Sequence, residues 1–135
     1  MKSRQSNKII DEFYILSVCD LNQSFVQNQN RHLDAISGAQ EYGFNFIKAI
    51  QVWDGMPEPC LCFFGEGNTL SIKDFLSAHV ITHCSDAYIS VKGDTGIVTN
   101  IKNEIPVKIL RDEIVLPHYV FLPEFNTSFS IIDLE

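Results

Sequence analysis

The chain has 135 residues, of which 45% are hydrophobic and 20% charged. A chain of this length buries roughly 70% of the surface that its unfolded form exposes, and its composition excludes disordered, collagen-like and coiled-coil proteins. The net charge of −7 argues against direct nucleic-acid binding through phosphate contacts.

The composition of the first residues predicts where the domain begins. Residues 1–8 are basic and polar, and we expect them to form a flexible basic arm before a single domain at residues 9–135. Asp11 and Glu12 interrupt the apolar region that a signal peptide needs, and the longest apolar runs are too short to span a membrane. We therefore expect a cytoplasmic protein that does not bind membranes.

The first half of the chain predicts three strands and a helix. Strands are expected at residues 13–19, 44–53 and 60–64, and a helix starting at Ile9 is the alternative for the first of them. The Asn- and Gln-rich stretch 22–30 is predicted as a loop, and residues 31–42 as a helix that ends before Gly43. Two prolines predict a turn without regular pairing at residues 54–59.

A second helix is predicted from Ser71 to about His83. Ser71 and Asp74 have the spacing of a capping box, and Leu70 and Phe75 that of a hydrophobic staple. Strands at 87–92 and 97–102 then flank a four-residue hairpin loop. Further strands are expected at the ranges 107–110, 114–122 and 129–132.

The element order predicts an α+β fold. Residues 12–92 read β-α-β-β-α-β, which is the order of the ferredoxin-like, or split βαβ, sandwich. We expect a mostly antiparallel sheet with two helices on one face, followed by a β-rich C-terminal extension.

Two histidines on the second predicted helix are candidate ligands. His79 and His83 lie one turn apart on the same stripe as Ile72, Phe75 and Val80. If both side chains face a core, their four ring nitrogens need partners. A metal, a hydrogen-bond network or a solvent-filled pocket can supply these partners. Core histidines bonded to backbone or water are the alternative.

Cys60 and Cys62 are the thiols that would complete a zinc site with His79 and His83. In a regular strand, residues two apart lie about 6.6 Å apart along the axis. Zinc–sulfur bonds near 2.3 Å need much closer sulfurs, so this site requires a sharp bend. We expect reduced thiols and no cofactor, with zinc at these four residues as the alternative.

The predicted function is a protein contact without catalysis. Acids cluster in the first half of the chain, and an acidic surface speeds association with a basic partner, as in inhibitor or immunity-type proteins. Residues 118–125 are rich in aromatic side chains, and a homodimer through this segment is a further option. The alternative is a small-ligand or metal-binding protein, or an enzyme, with its site around His79 and His83. The candidate interface residues are Tyr119, Phe121, Phe125, Asp112 and Glu113.

Overall fold

The computed structural model describes residues 12–20, 22–64, 69–83 and 87–133, and for 69–71, 82 and 83 it describes the backbone alone. The basic arm predicted at residues 1–8 and the helix considered at Ile9 lie outside this part. Within it, no helix is long and apolar enough to cross a membrane.

Eight strands and two α-helices make up the described structure. The helices are α1 (Phe25–Glu41) and α2 (Thr69–His83), and a 3-10 turn spans Pro123–Phe125. The strands are β1 (Glu12–Ser17), β2 (Asn45–Trp53), β3 (Met56–Phe64), β4 (Ala87–Lys92), β5 (Thr95–Thr99), β6 (Glu104–Arg111), β7 (Tyr119–Leu122) and β8 (Thr127–Asp133).

The strands form a closed antiparallel barrel in the order β1-β3-β2-β7-β8-β6-β5-β4, and β4 pairs with β1. The predicted ferredoxin-like α+β sheet is therefore wrong. The element order expected over residues 12–92 is present, but β5 to β8 are not an extension. They continue the wall from β4 round to β2, because β7 pairs with both β2 and β8 and so closes the ring. Closure removes the unpaired edges that an open sheet would leave.

Side-chain alternation along the strands creates two cores. Inward positions such as Phe13, Ile15 and Cys60 fill the barrel, whereas outward positions such as Leu16 and Phe63 form a second buried cluster with the helices. Successive strand residues point to opposite faces, so one strand serves both cores. Ala35 of α1 and Leu76 of α2 are fully buried in this outer cluster. The helices therefore cover the outside of the wall.

Helix α1 begins earlier than predicted. The loop expected at residues 22–30 is helical from Phe25, because Ser24 and Gln27 form a reciprocal capping box. Asn28 exchanges two hydrogen bonds of 2.9 Å with the backbone of Asp20 and so ties the first turn to the preceding loop. Helix α2 also begins earlier, at Thr69, which places Ser71 inside the helix rather than at its cap.

The predicted turn at residues 54–59 is mostly strand. β3 begins at Met56, and Pro57 and Pro59 pair with Val52 and Ile50 of β2. The pairing between β1 and β3 stops at Leu61, so both prolines lie where β3 has β2 as its sole paired neighbour. Proline is tolerated at such an edge because the missing N–H has no strand to reach.

The strand predicted over residues 114–122 is shorter than expected. Residues 112–118 form a loop, which we call the β6–β7 loop, and β7 begins at Tyr119. The Ser130 hydroxyl holds this loop against β8: it donates to the Glu113 carbonyl and accepts from the Val115 N–H, each at 2.6 Å. The Leu116–Pro117 peptide bond is cis.

Candidate functional site

One end of the barrel, here called the sealed end, is filled by Phe13, Phe129 and Arg111 beside Gly93. The Phe13 and Phe129 rings lie 5.2 Å apart, and the Arg111 guanidinium stands 5.7 Å from the Phe13 ring centroid. Arg111 Nε and Nη2 donate to the Gly93 carbonyl at 3.0 and 2.7 Å. Aromatic packing and a fixed fork of donors thus close this end.

The other end, here called the mouth, contains a cavity of about 500 Å³. It lies where β1, β2 and β5 end and β3, β4 and β6 begin, so six strands contribute side chains. Its volume is in the range of small-molecule sites. The described residues that line it are Ser17, Cys19, Asp20, Asn22, Gln51, Trp53, Asp54, Met56, Glu58, Ala87, Ile89, Val98, Asn100 and Ile105.

Three polar side chains form a network on the cavity wall. Ser17 Oγ and Gln51 Nε2 both donate to Glu58 Oε1, each at 2.7 Å. Ser17 and Gln51 are buried, and Glu58 is half-buried. Each occupies an inward position two residues from an apolar core residue: Ile15, Ala49 and Cys60 respectively. Charge-assisted hydrogen bonds of this kind fix the Glu58 carboxylate in one orientation.

Asp20 organises the loop on the rim of the mouth. Its Oδ1 accepts from the Asn22 N–H at 2.9 Å, and its Oδ2 lies 4.0 Å from Arg31 Nη1. Its carbonyl accepts from the Gln23 N–H and from Asn28 Nδ2. The loop between β1 and α1 is therefore held by local hydrogen bonds, with Asp20 and Asn22 facing the cavity.

Trp53 is held at the mouth by His118. Their rings stack with centroids 3.9 Å apart and an interplanar angle of 18°. His118 Nδ1 accepts from the Asp54 N–H at 3.2 Å, and Nε2 lies 3.7 Å from Asp54 Oδ1. The Gly55 N–H donates to the Pro117 carbonyl, so the β2–β3 turn and the β6–β7 loop support one another.

Among the predicted zinc ligands, the two cysteines and His79 lie on opposite sides of the barrel wall. Cys60 and Cys62 face the interior, whereas His79 is on α2, where its ring packs edge-on against Phe75 at 4.8 Å outside the wall. The side chain of His83 lies outside the described residues. The structure does not bring the two cysteines together with His79, and a metal held by His79 and His83 alone stays a prediction. Among the described residues, no three His, Cys, Asp or Glu side chains are grouped to hold a metal.

The interior thiols are free and buried. Burial raises the pKa of Cys60 well above its usual range, and the neighbouring Cys62 and Glu58 raise it further. Burial likewise raises the pKa of Cys62. Both sulfurs thus stay protonated at neutral pH, and a protonated thiol is a poor nucleophile.

Most predicted interface residues fall on one outer surface. Asp112 and Glu113 are exposed in the β6–β7 loop, and Tyr119 and Phe121 are half-buried outward residues of β7. The strand register pairs these two aromatics with Ser130 and Ser128, which hold Glu113 and Asp112 by hydrogen bonds. Phe125 lies apart from this surface and packs against the barrel core and Phe64.

Sequence reasoning missed the mouth. Its signal was a polar residue that continues an inward apolar series: Ser17 follows Phe13 and Ile15, and Gln51 follows Ile47 and Ala49. In a barrel, such a position marks where the core ends and a cavity begins.

Fold and site together define an eight-stranded antiparallel barrel with a polar-walled cavity at one end. No protein-family model matches the sequence, and no curated protein matches it either.

Proposed function

We propose that the protein binds a small molecule in the mouth of its barrel. The observation that carries this proposal is the cavity of about 500 Å³ whose wall holds a hydrogen-bonded carboxylate among apolar side chains. Small-molecule sites combine a mostly apolar lining with a few oriented polar groups, and mouths of β-barrels are a usual place for them. The small-ligand site predicted around His79 and His83 is a separate location and stays a prediction.

The geometry favours binding over chemistry. The Glu58 carboxylate is held by two donors, which suits recognition of a ligand group in a fixed position. Ile89, Val98 and Ala87 provide apolar surface for the rest of the molecule. A cytoplasmic location remains part of the proposal, which fits the reduced, buried thiols of Cys60 and Cys62.

A cavity-filling variant tests the proposal. Ala87 is half-buried on the cavity wall, and Ala87→Phe should occupy part of the space a ligand needs. A fragment library of mixed charge is screened by NMR, with the Gln51 side-chain amide and the Trp53 indole N–H as reporters. Fragments that shift these signals in the wild type should lose their effect in Ala87→Phe.

The matched control is Ala78→Phe, the same change at an exposed position on α2. This variant should bind the same fragments as the wild type. Fragments that still bind Ala87→Phe at the mouth, or a library in which no fragment shifts the reporters, would contradict small-molecule binding there.

A protein contact is the second candidate function, and a specific surface favours it. The β6–β7 loop exposes three consecutive apolar side chains, Ile114, Val115 and Leu116, at 59%, 40% and 69%. They follow directly on Asp112 and Glu113, so the surface is apolar with an acidic border. Such a combination suits a partner with a basic rim, or a second copy of this chain.

Site-specific photo-crosslinking in cells tests the protein contact. A benzophenone side chain at Leu116 should produce one discrete cross-linked species, and the same group at the exposed Ile81 of α2 should not. A species that contains two copies of this chain would indicate a homodimer. Equal, diffuse labelling from both positions would contradict a specific contact at the β6–β7 loop.

A further inference from the structure

We infer that the ligand of the mouth is an organic cation, namely a protonated amine on an apolar body. This inference rests on the proposed small-molecule binding and specifies its ligand class. Asp20, Asp54 and Glu58 line the cavity, and no lysine or arginine is among the described residues that line it. Arg31, which is not among the described lining residues, lies 4.0 Å from Asp20, so Glu58 is the acid on which the argument depends.

Glu58 keeps one oxygen for a ligand. Both of its hydrogen bonds, from Ser17 Oγ and Gln51 Nε2, fall on Oε1. Within the described part of the chain, Oε2 has no hydrogen-bond partner. An ionised carboxylate accepts hydrogen bonds and donates none, so the group that binds Oε2 must be a donor.

Gln51 presents a second acceptor. The residue is 7% exposed and lines the cavity. The amide nitrogen must face Glu58, because a carboxylate has no proton to give to an amide oxygen. The amide oxygen is therefore left to accept. Two acceptor oxygens on one wall select a ligand with several N–H donors, and an ammonium group has three.

The remaining lining suits the body of such a ligand. Ile89 and Val98 supply aliphatic surface, and Trp53 supplies an aromatic ring that His118 holds in place. The face of an indole attracts a cation within about 6 Å of its centroid. An ammonium at Glu58 thus pairs with a carboxylate in a cavity that an indole ring also lines, while a hydrocarbon body displaces water from the apolar wall. Neutral alcohols would satisfy the acceptors without the charge pairing, and carboxylates would be repelled.

Three probes of equal shape test the ligand class. Benzylamine, benzyl alcohol and benzoate share a ring and differ in charge, and benzylamine is protonated at pH 7. NMR titrations of the full chain follow the Gln51 side-chain amide and the Trp53 indole N–H. We expect benzylamine to bind about tenfold more tightly than benzyl alcohol, since a charged hydrogen-bond partner contributes about that factor. Benzoate should not bind at the mouth.

Glu58→Gln separates charge from shape. This nearly isosteric variant should bind benzylamine about tenfold more weakly than the wild type and benzyl alcohol equally well. The alcohol titration also shows that the cavity of the variant is intact. Glu124→Gln removes the same charge from an exposed position in the 3-10 turn, away from the cavity lining, and should leave both affinities unchanged.

The outcomes distinguish this inference from the proposed function. Equal binding of benzylamine and benzyl alcohol, or tighter binding of benzoate, would overturn the cationic ligand and leave small-molecule binding supported. Loss of the amine preference in Glu124→Gln as well would show that net charge, and not Glu58, causes it, which also overturns the inference. If none of the three probes shifts the mouth signals, both proposals fail.

Discussion

The same strands build both ends of the barrel, and the two ends differ in the side chains that face the interior. At the sealed end, Phe13 and Phe129 meet ring to ring and Arg111 donates to the Gly93 carbonyl. At the mouth, the inward positions carry Ser17, Gln51 and Glu58, and a cavity of about 500 Å³ remains. Large rings fill a barrel interior, whereas small and polar side chains leave room and acceptors.

This difference leads us to expect that the sealed end contributes more to stability, while the mouth is the end where we propose that a ligand binds. Buried aromatic rings contribute large apolar areas to the folded state. A polar network at a cavity contributes less to folding, because its groups are also solvated in the unfolded chain. Substitutions at the two ends should therefore differ in their effect on unfolding and on binding.

The largest expected effect is that of Phe129→Ala at the sealed end. Phe129 is fully buried and packs on Phe13, so truncation loses its burial and leaves a cavity. We expect the free energy of unfolding to fall by about 3–5 kcal/mol. Urea unfolding followed by tryptophan fluorescence measures this change.

The matching substitution at the mouth is Ser17→Ala, which removes one of two donors to Glu58. We expect the free energy of unfolding to fall by about 1 kcal/mol, because Gln51 still donates to Glu58 and the cavity is open to water. Equal losses from Phe129→Ala and Ser17→Ala would mean that the two ends do not divide stability and binding.

The next largest effect is expected in the rates at which cysteines at the mouth and in the interior are alkylated. Cys19 lines the mouth and is partly exposed, whereas Cys60 and Cys62 are buried and their pKa values are raised by burial. Since the thiolate reacts, we expect iodoacetamide to label Cys19 at least about a hundredfold faster at pH 8.

Mass spectrometry of digested protein, sampled over time, reports each cysteine separately. In urea all three should label at similar rates, which controls for intrinsic reactivity. Comparable labelling of Cys60 in the folded protein would mean that the barrel interior opens to solvent. A benzylamine-dependent slowing at Cys19 would further support binding at the mouth.

The smallest expected effect is on the pH dependence of stability, and it comes from His32 on α1, which lies outside both ends of the barrel. Burial, and then the positive charge of Lys48, lowers the pKa of His32 below its usual range. As pH falls below about 6.5, the unfolded chain takes up this proton before the folded chain does. Stability should therefore decrease from about pH 6.5 down to the lowered folded pKa and level off below it.

His32→Gln should remove that part of the pH dependence. Thermal melts of wild type and variant between pH 5 and 8 measure it, and ligand binding at the mouth should be the same in both proteins. Parallel pH profiles for the two proteins would show that His32 titrates alike in the folded and unfolded chains.

Local patterns in the sequence predicted much of the strand content. The apolar run at 13–19 and the alternation over 44–53 correspond to β1 and β2, because burial on a sheet face imposes those patterns. The same reasoning failed at Pro57 and Pro59, which lie in β3. Proline excludes a strand with neighbours on both sides, and the sequence does not reveal that β1 stops short of them.

The site residues illustrate a different limit. The spacing of Cys60, Cys62 and His79 along the chain suggests a shared site, yet both cysteines lie inside the wall and His79 lies outside it. Glu58, Gln51 and Ser17 come from three strands and meet through the pairing of β3 with β2 and the approach of β1. No spacing in the sequence relates residues 17, 51 and 58.

Composition and short-range periodicity thus determined that this chain forms strands, two helices and a buried core, since those depend on neighbouring residues. Closure of the barrel depends on β7 pairing with β2 and β8, contacts that join residues about 70 positions apart at Ile50 and Phe121. Pairing between distant strands depends on the hydrogen bonds and side-chain packing of the whole barrel. No local sequence pattern encodes these contacts. The tertiary structure alone therefore decided that the sheet closes, and closure is what creates a sealed end and a mouth.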